Sequence, residues 1–524
     1  MSEPQELLVR VNHDVLVEII ELLLRTGGLN ELSQTSRRVR VACMPILFRQ
    51  CFRPLQVPLP DPRTVLPPSL WLHVQSLVIR DDCPDKFVSQ SLQYTNNRLL
   101  CGALSGPVLD QGLSGMPRLR SVTIYQRGEE PHGMSWPALR TVMSHAAIRE
   151  FTLDRLHFCP ALCPRYDLHV GLLAPLESFR YLFRTPERRS FVPDSQRYNP
   201  NFGDETAALE AVLGALHETL KGLCLLSEAV PVRAISQHPF PCLRSLVLRG
   251  EPSDALLSSL LSTISHIQSL RSLVLKFSRV EHTRRIVLWQ GNAVAAFPWP
   301  ALEEFVITYP DPADQIFSHL PATLHSLSLC FWRHFYHEFL DSLPLTGDLR
   351  YGRRFALLLT SSALRQLLHR AHTPLLVRLT LEYHADHGDE ELLYHISRSY
   401  PQLSYLKLIR YRPRGMNEVP VEDIAQSLTP LSRLYELKLH LDLPEMPMPG
   451  LLLTLDVTGN YSNAQHIQFR IIVNETADVF ARELGTSVRF LSIFTPTASP
   501  SRWACFEVIR GRAVQKHNQS CSRH

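Results

Sequence analysis

The stretch "LRSLVL" occurs twice in this 524-residue chain, at 243–248 and at 270–275. Its leucines hold the first, fourth and sixth positions. The last two are two residues apart, so on a short strand they point to one face. Variants of the phrase recur: "VQSLVI" (74–79), "LRSVTI" (119–124), "IREFTL" (148–153), "LKGLCL" (220–225), "LEEFVI" (302–307), "LHSLSL" (324–329), "LVRLTL" (376–381), "LSYLKL" (403–408), "LYELKL" (434–439), "LLTLDV" (452–457) and "VRFLSI" (488–493). Helical patterns lie between them. In "SDALLSSLLSTISHIQSL", Leu256, Leu260, Ile264 and Ile267 form one stripe, with Ser253 or Asp254 as N-cap. One strand and one helix cannot bury their apolar faces alone, but a stack of such pairs can.

Counted at the fourth position, Leu223 to Leu246 is 23 residues, Leu246 to Leu273 is 27, Leu379 to Leu406 is 27 and Leu406 to Leu437 is 31. Units of about 20–29 residues with an L-x-x-L-x-L core characterise leucine-rich repeats. Residues 70–511 resemble an irregular leucine-rich-repeat solenoid, an α/β horseshoe. A compact α/β domain is the alternative, and it predicts apolar strands of varied sequence rather than one recurring phrase. The longer gaps, 45 residues from Leu77 to Val122 and 52 from Leu327 to Leu379, hold a diverged repeat or an insertion. Asp82, Glu251 and Arg410-Tyr411 stand where such repeats carry Asn or Cys, which predicts irregular turns. The polar segment 184–205 reads as a surface insertion and 512–524 as a disordered tail.

Hydrophobic residues make up 45% and charged residues 20%, an ordinary globular composition. A net charge of +4 is small for this length and speaks against a chain built to grip nucleic acid. No apolar run approaches the ~18 residues that span a bilayer, so no membrane partner is expected. Eleven scattered cysteines without a targeting segment fit reduced thiols and a cytoplasmic or nuclear location.

The front of the chain, residues 8–52, is different. Val15, Ile19, Leu22 and Leu23 fall at helical spacing after Asn12, a cap residue, and before Gly27-Gly28. "LNELSQ" fits a short second helix, and a third starts near Ser36 with Val39, Ala42, Cys43, Ile46 and Leu47 on its apolar side. A Pro-rich linker is expected over 53–69. "VNHDVLVEI", with Asp14, Val15, Leu16 and Ile19, and "LNELSQTSRRVR", with Leu29, Leu32, Ser36 and Arg37, resemble the F-box motif. "MPILFRQC" is similar to an ending common in fungal F-box proteins. Val11-Asn12 stands where that family has Leu-Pro, and Val39 where it has an aromatic. The resemblance implies a small three-helix module that docks on the Skp adaptor of cullin-based SCF ubiquitin ligases. Val11, Asp14, Val15, Leu16, Ile19, Arg37 and Arg38 are the implied contacts. The other reading is that these helices only cap the first repeat.

No sequence signal for catalysis stands out. "HADHGDEE" groups His384, His387, Asp389, Glu390 and Glu391, but it follows a strand phrase, where a solvated turn is due, and no second ligand cluster accompanies it. Cys159 and Cys163 likewise have no second pair. Neither metal nor other cofactor is expected. The working surface is expected on residues that alternate with the inward leucines: Tyr125, Arg249, Lys276, Thr308, Glu382, Lys407, Lys438 and His440. Mixed charge spread over many repeats suits an unknown protein target rather than a small molecule. The resulting expectation is a non-enzymatic adaptor of a ubiquitin ligase. A decayed-F-box scaffold and an enzyme using the His384–Glu391 loop are its rivals.

Overall fold

The computed structural model describes residues 12–26, 28–55, 66–81, 104, 106–126, 133–159, 170–171, 173–182, 202–277, 285–289, 296–330, 358–413, 416, 418–445, 463–485, 487–495 and 503–516. The phrase at 452–457 and the segment 184–205 lie outside them, save 202–205. The chain forms two compact units, Met1–Arg244 and Ser245–His524.

The first unit opens with three helices, α1 (His13–Thr26), α2 (Leu29–Ser33) and α3 (Arg37–Leu47). Asn12 caps α1, its side-chain oxygen accepting the Asp14 N–H at 3.2 Å. Ser36 caps α3 by accepting from the Val39 N–H, and Pro45 sits within that helix. α3 runs almost directly into β1 (Gln50–Leu55). Then follow β2 (Ser76–Asp81), α4 (Gly106–Ser114), β3 (Ser121–Gln126), β4 (Gly133–Met134), α5 (Trp136–Met143), β5 (Glu150–Asp154), β6 (His157–Phe158), β7 (Ser178–Leu182), α6 (Phe202–Leu216), β8 (Gly222–Leu226) and α7 (Val232–Gln237). Strands β1, β2, β3, β5, β7 and β8 pair in that order, all parallel, and β4 and β6 make a small separate ladder.

The second unit contains β9 (Ser245–Gly250), α8 (Asp254–Ile264), β10 (Ser272–Phe277), β11 (Glu304–Thr308), β12 (Ser326–Cys330), β13 (Leu359–Thr360), α9 (Ser361–Arg370), β14 (Arg378–His384), α10 (Asp389–Ser399), β15 (Tyr405–Tyr411), α11 (Val421–Leu428), β16 (Glu436–His440), α12 (Asn463–Leu484), β17 (Phe490–Phe494), β18 (Trp503–Ile509) and β19 (Arg512–Gln515). The ladder β9-β10-β11-β12-β14-β15-β16-β17 is parallel, and β18 and β19 close it antiparallel. Among the described residues, β13 pairs with the end of β14 alone. Helices α9 to α12 pack side by side. Ser253 caps α8 through the Leu256 N–H.

Each unit thus stacks one strand per phrase, the repeat architecture expected of leucine-rich sequence. The phrase's fourth position falls in a single register row. That row is Leu77, Val122, Phe151, Phe179 and Leu223 in the first unit, and Leu246, Leu273, Phe305, Leu327, Leu379, Leu406, Leu437 and Leu491 in the second. All of these side chains are buried. Burying a Leu or Phe contributes roughly 1.5–3 kcal/mol, so this one row is a large share of the fold's driving force. β2 pairs directly with β3, and β12 with β14, so both long gaps are insertions rather than hidden repeats. "LESFRYL" (176–182) is a repeat the leucine pattern did not mark, because Phe179 and Tyr181 hold two of its apolar places.

Without an Asn or Cys ladder, backbone groups do the stitching. In successive coils two consecutive N–H groups donate to one carbonyl of the preceding coil: Arg149 and Glu150 to Arg120, Val377 and Arg378 to His325, Ser404 and Tyr405 to Val377, Tyr435 and Glu436 to Ser404. A carbonyl has two lone pairs and can serve both.

Two boundaries move. β1 includes residues 53–55, which the sequence assigns to a linker, and β19 occupies 512–515, which it assigns to a tail. In both cases the segment gains a neighbouring strand as hydrogen-bond partner. Six cysteines of the described residues are free thiols, whereas Cys505 is disulfide-bonded, so the expectation of reduced thiols fails there. Among the described residues no helix is long and apolar enough to cross a membrane.

Candidate functional site

Two surfaces gather the residues singled out above. The first is the helical module. Its core is Leu16, Ile20, Leu29, Val39, Cys43 and Ile46, so the three helices pack on one another. α1 carries its acidic residues, Asp14, Glu18 and Glu21, on one face and is apolar over the wider remainder, of which only one stripe faces this core. Val15 and Leu22 remain 47% and 63% exposed, with Ile19 half-buried between them. These positions are four and three residues apart and share one face. Asp14, Arg37 and Arg38 are exposed as expected. Leu16 is not a surface contact: it is buried in the module's core, because Val39 and Cys43 of α3 close over that side of α1. Val11 lies outside the described residues. A groove of about 570 Å3 opens beside the start of α3, lined by Ser36, Arg37, Arg40, Val41 and Met44. Val41 is 65% exposed on its rim. The Arg40 guanidinium donates to the Ser33 carbonyl, holding the turn before α3.

The second surface is the polar face of the sheets. Tyr125, Arg249, Lys276, Lys407 and Lys438 are half-buried on it, as the alternation predicts. Thr308, Glu382 and His440 are instead buried and offer no docking surface. The alternation fails at the fifth residue of β11, β12, β14, β15 and β16, where Thr308, Cys330, Glu382, Ile409 and His440 are all covered. Part of the cover is visible. Thr308 Oγ accepts the Phe277 N–H at 2.9 Å and donates back to the Phe277 carbonyl at 3.0 Å. The Tyr411 hydroxyl donates to Glu382 at 3.0 Å, and its ring lies 5.2 Å from that of His440. Phe494 closes the other side of His440, with ring centroids 4.9 Å apart.

Register also brings together residues that the phrase pattern passed over. The Arg378 guanidinium stacks over the Tyr405 ring at 4.2 Å, and the Lys438 ammonium lies 5.6 Å from the same ring. Lys407 approaches Trp503 at 5.3 Å. Lys438 pairs with Glu436 at 3.0 Å. Burial pushes the Tyr405 phenol up to about 12, with the Glu436 charge adding to it. Arg378 and Tyr405 were legible only once β14 and β15 were paired.

The His384–Glu391 segment is a turn only over 385–388, where His387 is exposed, and Glu390 and Glu391 are exposed beyond it. His384 ends β14, and Asp389, Glu390 and Glu391 form the first turn of α10. Asp389 is buried and pairs with Arg410 at 2.7 Å, the side chains 12% and 5% exposed. Arg410 therefore belongs to the interior, not to a turn. The buried Tyr383 phenol sits well above its ordinary range, from burial first and the Asp389 charge second. Asp386 binds the start of α9, accepting from the Ser361 and Ser362 hydroxyls at 2.8 and 2.9 Å and from the Gly388 N–H at 2.9 Å. Among the described residues no group of three or more His, Cys, Asp or Glu is arranged to hold a metal.

One buried polar network had no sequence signal. His157 Nδ1 lies 2.7 Å from Glu205, and the Tyr181 hydroxyl donates to the other Glu205 oxygen at 2.9 Å. Burial, with the Glu205 charge, pushes the neighbouring Cys159 thiol far up, so it is no nucleophile. The network joins β6, β7 and α6.

No family model matches the chain, and no curated protein sequence matches it. Several solved structures resemble it weakly, three of them as follows. The yeast complex of Rad7 and Elc1 aligns at 14% identity and a TM-score of 0.36, over 82% of this chain and 87% of that one. The leucine-rich repeat-containing protein LegL7 from Legionella pneumophila aligns at 13% and 0.30, over 73% and 98%. The TLR13–ssRNA13 complex aligns at 12% and 0.24, over 72% and 59%. All three TM-scores lie below 0.5.

Proposed function

We propose that this chain is a non-enzymatic substrate-recognition subunit of an SCF-type ubiquitin ligase, cytoplasmic or nuclear, with an F-box-like module leading a leucine-rich-repeat solenoid. The module binds the Skp adaptor, and the repeats hold a target protein. The observation that carries this reading is the second apolar stripe of α1. Val15 and Leu22 stay out in solvent although the module has a complete core without them. Exposed apolar stripes bordered by charge are what partner-binding helices present. Arg37, Arg38 and Arg40, exposed at the start of α3 in the same module, raise the encounter rate with an acidic adaptor more than the affinity. The mechanism is positional. Holding adaptor and target on one chain raises the effective concentration of target lysines at the conjugating enzyme. Bond chemistry belongs to other subunits, and no metal or cofactor takes part.

Capture of the full chain by immobilised Skp adaptor tests this. The parent is expected to bind and a Val15→Asp/Leu22→Asp variant to lose binding. No capture, or equal capture of both, would sink the proposal. A second reading has its own observation. α3 leads into the edge strand β1, and the Arg49 carbonyl between them accepts the N–H groups of Gln75 and Ser76, as a repeat-end cap would do. On that reading the chain is a protein-binding scaffold, and the same variant changes nothing.

A further inference from the structure

We propose that the polar face of β14 to β18 docks an acidic, extended segment of a partner protein, with a carboxylate seated between Lys407 and Lys438. The inference rests on the repeats being the target-binding half of the chain, and it names the chemistry of the target.

The first residues of β14 to β17 form the row Arg378, Tyr405, Glu436, Phe490, and the third residues form the row Thr380, Lys407, Lys438, Ser492. Lys407 and Lys438 are thus direct neighbours on strands spaced about 4.8 Å apart. Like charges in that position repel and cost stability. Lys438 has Glu436 as partner. Lys407 has no carboxylate within ion-pair range among the described residues, and its ammonium meets only the Trp503 ring. The pair therefore carries an excess cation on an accessible face; the Lys438 ammonium lies toward Tyr405 and Glu436 and that of Lys407 toward Trp503, and a carboxylate seated between the two stems would draw both ammoniums onto it.

The surroundings fix the class of ligand. Tyr405 and Phe490 flank the lysine row on one side. On the other, Tyr411, His440, Phe494 and Trp503 form an aromatic chain with ring centroids 5.2, 4.9 and 5.5 Å apart. Tyr405 and Trp503 each face one of the lysine ammoniums, and the rails lower the local dielectric, which strengthens a bound charge pair. They also give apolar neighbours of the acidic residue a surface to cover. Glu436 and Glu507 lie on either side of Phe490 in the first row, so a phosphate backbone crossing the strip would meet two carboxylates. A short acidic peptide fits this charge pattern, and a nucleic acid does not.

The test uses the purified full-length chain and a fluorescein-labelled nine-residue peptide of alternating Glu and Leu. Its Gln-for-Glu counterpart and a twenty-residue oligothymidylate serve as comparison probes. Anisotropy is expected to show binding of the acidic peptide that weakens with salt, and none of the Gln peptide. A Lys407→Met/Lys438→Met variant keeps the stems, and its affinity should fall by about tenfold or more at a melting temperature no lower than the parent's. Undiminished binding by the variant, equal binding of the Gln peptide, or no binding of the acidic peptide at millimolar concentration overturns the proposal. So does preferential binding of the oligonucleotide that the variant loses. Adaptor capture on the same variant should be intact, so failure here and failure of the ligase reading give different results.

Discussion

Replacing Arg410 by Met should destabilise the second unit far more than replacing Arg410 and its partner together. Arg410 Nε and Asp389 Oδ2 are 2.7 Å apart, with side chains only 5% and 12% exposed. Removing the guanidinium leaves a buried carboxylate without its counter-ion, which costs about 3–5 kcal/mol in comparable sites. The first turn of α10 returns roughly 0.3–1 kcal/mol through the helix dipole, so about 3 kcal/mol is expected. At roughly 2–4 °C per kcal/mol for a body of this size, the melting temperature should fall by about 6–12 °C. In Asp389→Leu/Arg410→Met both charges are gone and apolar side chains fill the layer between sheet and helices. That double variant should lie within about 1 kcal/mol of the parent. Urea is the appropriate denaturant, because guanidinium would screen the charges under study. The transition of the second unit, followed by circular dichroism, supplies the four corners of the double-mutant cycle. A single variant costing under about 1 kcal/mol, or a double variant as costly as the single, would refute the view of Arg410 as an interior cation dependent on Asp389.

Other consequences are smaller. Leu16→Ala should cost about 2–5 kcal/mol and expose the helical module to limited proteolysis, whereas Val15→Asp should leave its stability within about 0.5 kcal/mol; equal effects would contradict the assignment of α1's faces. Burial works to raise the Asp386 carboxyl, but hydrogen bonds from the Gly388 N–H and the Ser361, Ser362 and Thr360 hydroxyls outweigh it and bring the group down to about 2. A depressed carboxyl contributes stability above its unfolded value of about 3.9 and loses it as pH falls towards 2. Urea midpoints of the parent should therefore drop between about pH 4 and 2 more steeply than those of Asp386→Asn; parallel curves would argue against it. Trp299→Phe should cost about 1 kcal/mol beyond any repacking, because the indole N–H donates to the Ile264 carbonyl at 3.2 Å in a buried site, and a thermal melt reads it.

The contrast between what the phrase disclosed and what it did not has a physical basis. Leu246 and Leu273 could be placed in one row because a period of two on a strand leaves one choice of inward face, and wrong choices bury polar groups. α1 gave no such choice. Val15, Ile19 and Leu22 satisfy helical spacing, but so do Leu16, Ile20 and Leu23, and only the arrival of Val39 and Cys43 from α3 decides between them. The stripe that lost that competition is the one left exposed, so the ambiguity of the sequence and the candidate site share a cause: a helix whose apolar side is wider than its own module can cover. Asp389 and Arg410 failed to show for another reason. Twenty-one residues separate them, and neither is unusual until β14, β15 and the start of α10 are packed. The fifth-position residues Thr308, Glu382 and His440 make the converse point. Alternation tells which face of a strand a side chain leaves from, and it is silent on what lies over that face. Tyr411 and Phe494 cover His440 from neighbouring strands, while the lysine row two residues earlier stays accessible. A leucine phrase therefore identifies the core of such a protein more surely than its binding surface, which depends on the residues that cross from one coil to the next.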